Sequence, residues 1–299
     1  MRVDPNYIAN LSAAIDSSSA TEQRLTSQLS SGLRISTLSD DPIAVSQNVG
    51  LQGAISGIDS FVASTSGTEG RLQVTDSVLG EVVSQLTSAI SLATGAGDGT
   101  LSAANLATIG QQVSQVRDSI LSLANTSYQG QYLFSGSLGN TKPYTLNTAT
   151  TPATAVYAGD SNTETAVTPE GETLQSSLAG SSVFTAAGSS VLGALNQLAG
   201  DLAAGTTASI PADTAALSVS LSTVSTQRSV LGSSLSRLTA ASTYASTQQT
   251  RLVAQQSSLL DSDTATVATQ LSTAEAQHQA IISTVAALSQ NSLFSVLFK

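Results

Sequence analysis

From Ala44 to Ala93 the chain keeps one spacing without a slip: Ala44, Asn48, Leu51, Ile55, Ile58, Val62, Thr65, Glu69, Leu72, Asp76, Leu79, Val83, Leu86, Ile90, Ala93. Eleven of these fifteen positions are apolar, and alternating steps of three and four place them on one stripe of an α-helix. A helix of that extent is roughly 78 Å long, more than an ordinary globular core spans. A second stripe is needed to cover it. The chain supplies one at Leu217, Leu221, Val224, Arg228, Leu231, Leu235, Leu238, Ser242, Ala245, Gln249, Leu252, Gln256 and Leu259, nine of thirteen apolar. A shorter, cleaner series (Leu106, Ile109, Val113, Val116, Ile120, Leu123) is expected to run back antiparallel to the first helix. Glycines at 50, 53, 57, 67, 70 and 80 disfavour helix, so bends or a break are expected in the first rod.

Both extremities carry seams of the same kind. Ile8, Leu11, Ile15, Ser18, Glu22, Leu25 and Leu29 form one, ended by Gly32 at a left-handed cap position. Val267, Leu271, Ala274, His278, Ile281, Val285 and Leu288 form the other, followed by the apolar tail NSLFSVLFK. These seams are expected to pack partly on each other and partly on adjoining copies. The residues assigned to that subunit interface are Ile8, Leu11, Ile15, Leu25, Leu29, Ile281, Val285, Leu288, Leu293 and Leu297.

Between the first two helices stands SDDPIAVSQN (39–48). Two adjacent carboxylates could serve acid–base chemistry or a divalent ion, but Pro42 explains them more simply. Proline fits the first helical position, Asp41 can cap the amides behind it, and Asp40 adds charge at the positive end of the dipole. Asp40, Asp41 and Pro42 therefore read as a helix junction. DSDT (261–264) reads as a second one.

Around residue 138 the helical period stops. The stretch to about 205 is rich in Thr and holds three of the six prolines. Short β-prone pieces at Tyr144–Leu146, Ala155–Tyr157 and Thr165–Val167 lie between turn signals. The expected fold class is mainly α with a β-rich insertion, a long antiparallel helical bundle formed by N- and C-terminal segments. Expected boundaries are terminal coiled-coil segments 1–38 and 264–299, a helical shaft 39–137 and 206–263, and an inserted β domain 138–205. SVLGALNQLAGDL (190–202) reads as a short helix leading back. Tyr132 and Phe134 either anchor the insertion to the shaft or are ordinary core residues.

Composition removes several function classes. A net charge of −10 opposes nucleic-acid binding. The lysines, Lys142 and Lys299, make no polybasic anchor. No apolar run reaches spanning length. The segment MRVDPNYIANL lacks the features of a cleaved secretory signal. Without cysteine there is neither a disulfide framework nor a thiolate metal site. His278 lies on a helix seam flanked by Ala274 and Ile281, and GAGDG (95–99) lacks the ending of a phosphate loop. No catalytic, cofactor-binding or metal residues are assigned, and the chain is not expected to be an enzyme. A secreted enzyme with its site in the insertion is the rival from another class, weakened by the lack of histidine in 138–205.

Three stretches carry a resemblance. SSGLRISTLSDDPIAVSQN (30–48) resembles the N-terminal signature of the flagellin-like axial proteins, and its SDDPIA continuation resembles the hook-associated protein 3 family. LANTSYQGQYLFSGSLGNTKPY (123–144) is similar to that family's exit from the helical body into its inserted domain. The SLF-type C-terminal segment is shared with both. The resemblance implies a structural junction protein between hook and filament of the bacterial flagellum. It also implies type III export to the extracellular flagellum without a cleaved signal. The implied partners are further copies of the chain, the first hook-associated junction protein, flagellin and an export chaperone. A flagellin-like filament subunit is the alternative within the same fold.

Overall fold

The computed structural model describes residues 5–147, 149–150, 153–169 and 171–297, with side chains described between 9 and 287. Its helices are α1 (Pro5–Ser31), α2 (Pro42–Ala96), α3 (Ala103–Ala124), α4 (Gly180–Val183), α5 (Val191–Ala204), α6 (Ile210–Leu260) and α7 (Thr264–Leu297). Six short strands lie between α3 and α4. The chain divides into two compact units, 1–57 with 248–299, and 58–247.

No break interrupts α2 over its 55 residues. Gly50, Gly53, Gly57 and Gly67 lie off the seam with open space at their missing Cβ. They weaken helix propensity there, but remove nothing from the buried stripe, and burial decides.

In the unit of residues 58–247 the stripes meet. Leu72, Leu79 and Leu86 of α2 share one core with Val113 and Ile120 of α3 and with Leu217, Val224, Leu231 and Leu238 of α6. Gln85 and Leu92 of α2 and Gln112 and Ser119 of α3 line one groove, and the short connection from Ala96 to Ala103 turns the chain back, so these helices run antiparallel. Ser102 caps α3 by accepting from the Asn105 amide, and Ser190 caps α5 by accepting from Gly193. α5 packs closely along α3: a Cβ on Gly110 would stand 3.2 Å from the Leu202 Cβ and 3.3 Å from the Ala199 carbonyl oxygen.

The strands form three separate antiparallel pairs. β1 (Ser127–Tyr128) and β2 (Gln131–Tyr132) make a tight hairpin whose turn residues, Gln129 and Gly130, have φ of 51° and 83°, as a primed turn requires. β3 (Tyr144–Asn147) pairs with β4 (Thr154–Tyr157), and β5 (Thr165–Val167) with β6 (Thr173–Gln175). Two-residue and four-residue pairs are too small to stand alone in water. An aromatic cluster joins them to the helical core: the rings of Phe134 and Phe184 are 5.1 Å apart, Tyr144 and Tyr157 5.0 Å, and Tyr144 and Phe184 5.7 Å. Phe134 is fully buried, whereas Tyr132 is half-buried. Gly180 must be glycine here, because a Cβ would come within 2.8 Å of the Phe134 carbonyl oxygen and of the Tyr144 ring.

Candidate assembly site

In the unit of residues 1–57 and 248–299, α1 and α7 pair antiparallel. Leu25 packs with Val267, Leu271 and Ala274. One turn earlier on α1, Glu22 Oε1 faces His278 Nδ1 at 3.9 Å, farther along α7. Leu25 is thus covered within the chain, at 2% exposure. Leu11, Ile15, Ile281 and Val285 are half-exposed, and Leu29 is exposed. The side chains of Ile8, Leu288, Leu293 and Leu297 lie outside the described residues.

The two helical columns of this unit are interrupted at the same height. α1 stops at Ser31, followed by Gly32 with φ 71°, a conformation that glycine adopts without strain. α6 stops at Leu260, and α7 starts at Thr264. The breaks are tied to each other: the Arg34 amide donates to the Leu260 carbonyl at 2.7 Å and the Ser262 amide to the Gly32 carbonyl at 2.8 Å. Leu33 and Asp261 form an antiparallel bridge, and the Arg34 guanidinium donates to the Leu259 carbonyl at 3.0 Å.

The acids here serve the backbone. Asp41 Oδ1 accepts from the Ala44 amide at 3.1 Å, capping α2 behind Pro42. Asp40 turns back into the connection: its Oδ2 accepts from the Ser36 and Thr37 amides at 2.9 and 2.8 Å. Those amides, Ser36 first, hold the Asp40 carboxyl below the usual carboxylate range. Asp263 caps α7, accepting from the Thr266 hydroxyl and from the Ala265 and Thr266 amides. The Thr266 hydroxyl is the leading cause of its lowered pKa. Among the described residues no three His, Cys, Asp or Glu side chains converge as metal ligands would. The groove between α1 and α7, about 620 Å³, is lined mainly by Thr and Gln. Such an arrangement can join helices.

Sequence reasoning missed the tie between the two breaks. The available signal was the pair of interruptions, LRISTLS and DSDT, each flanked by intact seams. It also missed that three side chains around the first break stand in solvent: Leu38, Ile43 and Val49 are 65%, 72% and 64% exposed.

The bacterial flagellin N-terminal helical region matches residues 6–138 and the bacterial flagellin C-terminal helical region residues 215–297. Flagellar hook-associated protein 3 of Salmonella typhimurium is 27% identical over 317 aligned positions, covering 97% of both chains. The crystal structure of Bacillus cereus FlgL is similar with a TM-score of 0.59 at 20% identity, covering 70% of this chain and 99% of that one. That of hook associated protein-3 from Legionella pneumophila gives 0.63 at 15% identity, covering 70% and 98%. No helix among the described residues is long and apolar enough to cross a membrane. The two flagellin regions, spanning well over half of the sequence between them, and the end-to-end likeness to hook-associated protein 3 show that this chain belongs to the flagellin-like axial proteins, in the hook-associated protein 3 family.

Proposed function

We propose that this protein is a structural subunit at the junction between hook and filament of the bacterial flagellum, without catalysis of its own. The observation that carries the reading is the likeness to hook-associated protein 3 along 97% of both chains. The terminal pair supplies the mechanism. α1 and α7 share a thin core around Leu25, and neighbouring copies complete the cover over Leu11, Ile15, Leu29, Ile281 and Val285. Ile8 and Leu288 lie on the same two seams, and Leu293 and Leu297 in the apolar tail that follows. Unpartnered apolar stripes are the usual means by which helices recruit further helices. Leu38, Ile43 and Val49 add exposed apolar surface beside the break and belong to the same contact. On this reading the partners are other copies of the chain, the first hook-associated junction protein and flagellin. An export chaperone meets the chain before type III export.

Deleting residues 290–299 tests the proposal. Cells carrying only the truncated chain are expected to bear hooks without filaments in electron micrographs and to shed flagellin into the medium. Circular dichroism should show the unit of residues 58–247 still folded. Normal filaments on such cells would refute the assembly role.

A further inference from the structure

Two polar residues interrupt seams that are otherwise apolar or small, and they do so at the same layer. On α1, Glu22 takes a seam position between Ser18 and Leu25; on α7, His278 takes one between Ala274 and Ile281. Because the helices run antiparallel, the two meet. Glu22 Oε1 faces His278 Nδ1 at 3.9 Å, and the side chains are 25% and 22% exposed. That distance is too long for a hydrogen bond. The Nδ1 atom is nonetheless shielded from solvent and has no hydrogen-bond partner. A shielded nitrogen in that position carries an uncompensated desolvation penalty.

A proton on the imidazole changes the balance. Both ring nitrogens of the cation donate, and a donor opposite a carboxylate makes a charge-assisted hydrogen bond. Closing the gap takes about 1 Å, within reach of the flexible Glu22 side chain. The neighbouring charges on the two helices are turned elsewhere. On α1, Arg24 donates from Nη1 to Gln28 Oε1 at 3.4 Å, and Asp16 is exposed; on α7, Glu275 is exposed. The setting also makes a small contribution visible. The cluster buried between the helices is Leu25, Val267 and Ala274, with Leu271 against it, so a single charged contact is a large share of what holds them.

We infer that Glu22 and His278 form a proton-dependent latch between α1 and α7, closed when the imidazole is charged and slack when it is neutral. The closed contact favours the charged imidazole, so the latch contributes at acid pH and is lost as pH rises. It is internal to one chain and does not depend on what the chain assembles into.

Hydrogen exchange on the monomeric full-length chain tests it, with each rate divided by the intrinsic rate at the same pH. Residues 18–29 and 267–281 are compared at about pH 5.5 and about pH 8, either side of the range in which histidines change charge. Protection in the native chain should be about threefold higher at the acid pH, the size of a partly exposed charge pair. His278→Gln and Glu22→Gln keep every other titrating group; each should flatten that difference, and the double variant should match the single ones. Glu275→Gln should keep it, which assigns the effect to Glu22 and not to the carboxylate on α7 itself. If a glutamine variant does not fold its terminal pair, His278→Leu continues the apolar seam and should protect α1 and α7 equally at both pH values. The latch is overturned by a native chain without the acid gain, by a Glu22→Gln or His278→Leu chain that keeps it, or by a Glu275→Gln chain that loses it.

Discussion

The α1–α7 pair and the bundle of residues 58–247 are built on the same 3,4 seam, yet they hold themselves together differently. In the bundle the stripes of α2, α3, α5 and α6 close on one another and on an aromatic cluster, leaving Phe134, Phe184, Leu79, Leu86 and Leu198 with almost no exposure. In the terminal pair the buried cluster is Leu25, Val267 and Ala274, with Leu271 against it, and Glu22 and His278 occupy the next seam positions. Two helices bury one stripe each and leave its flanks open, whereas four helices bury each stripe on several sides. The same sequence pattern thus gives a self-sufficient core in one place and an incomplete one in the other.

Substitutions can break this comparison, and the largest effect belongs to the bundle. Phe184→Ala removes a ring that contacts Phe134 and Tyr144, and should destabilise the bundle by about 3–5 kcal/mol, read by urea unfolding. A loss below about 1 kcal/mol would mean the aromatic cluster is not what ties the strands to the helices. Leu25→Ala should cost about 2 kcal/mol and act locally. Hydrogen exchange should show α1 and α7 losing protection while α3 and α5 keep theirs. Equal losses in both regions would erase the distinction drawn here.

The smallest effect sharpens the picture through pH. Asp213, buried in the first turn of α6, has an Oδ2 without a hydrogen-bond partner. Burial first, then the hydrogen bond and charge of Asp201, raise its pKa from 3.8 to about 6. The folded chain therefore holds this proton more tightly than the unfolded chain does. Its contribution favours folding at acid pH and is lost as pH rises through that window. Relative to D213N, the native protein should lose on the order of 1 kcal/mol between pH 4 and 6, measured by denaturation at each pH. A difference that stays flat across the window would remove Asp213 as the cause.

The sequence made the helices legible because 3,4 spacing survives any tertiary context. The seams were read down to Glu22 and His278, but not that these two meet, since pairing depends on register and register is a property of two helices together. The Asp41 cap on α2 was legible from Pro42 beside it. The role of Asp40 was not, because it depends on how Ser36 and Thr37 fold back. β3, β4 and β5 announced themselves through β-branched and aromatic residues between turns. The two-residue strands β1 and β2 carry too few residues for any period, and TLQ of β6 follows a turn without alternation. Resemblance supplied the flagellar reading, and composition narrowed the alternatives without pointing to it.

The matched interruptions at Gly32 and Asp261 have a mechanical consequence. Cuts at one height let two rods swing about a common line, so neither has to shear past the other. The short ladder between Gly32–Arg34 and Leu260–Ser262 lies on that line, where displacement in any such swing is least. Had the cuts been staggered by a turn, each swing would drag Leu25 out of the recess formed by Val267 and Ala274. Coincident breaks put the whole joint at one level, where a single short ladder holds it.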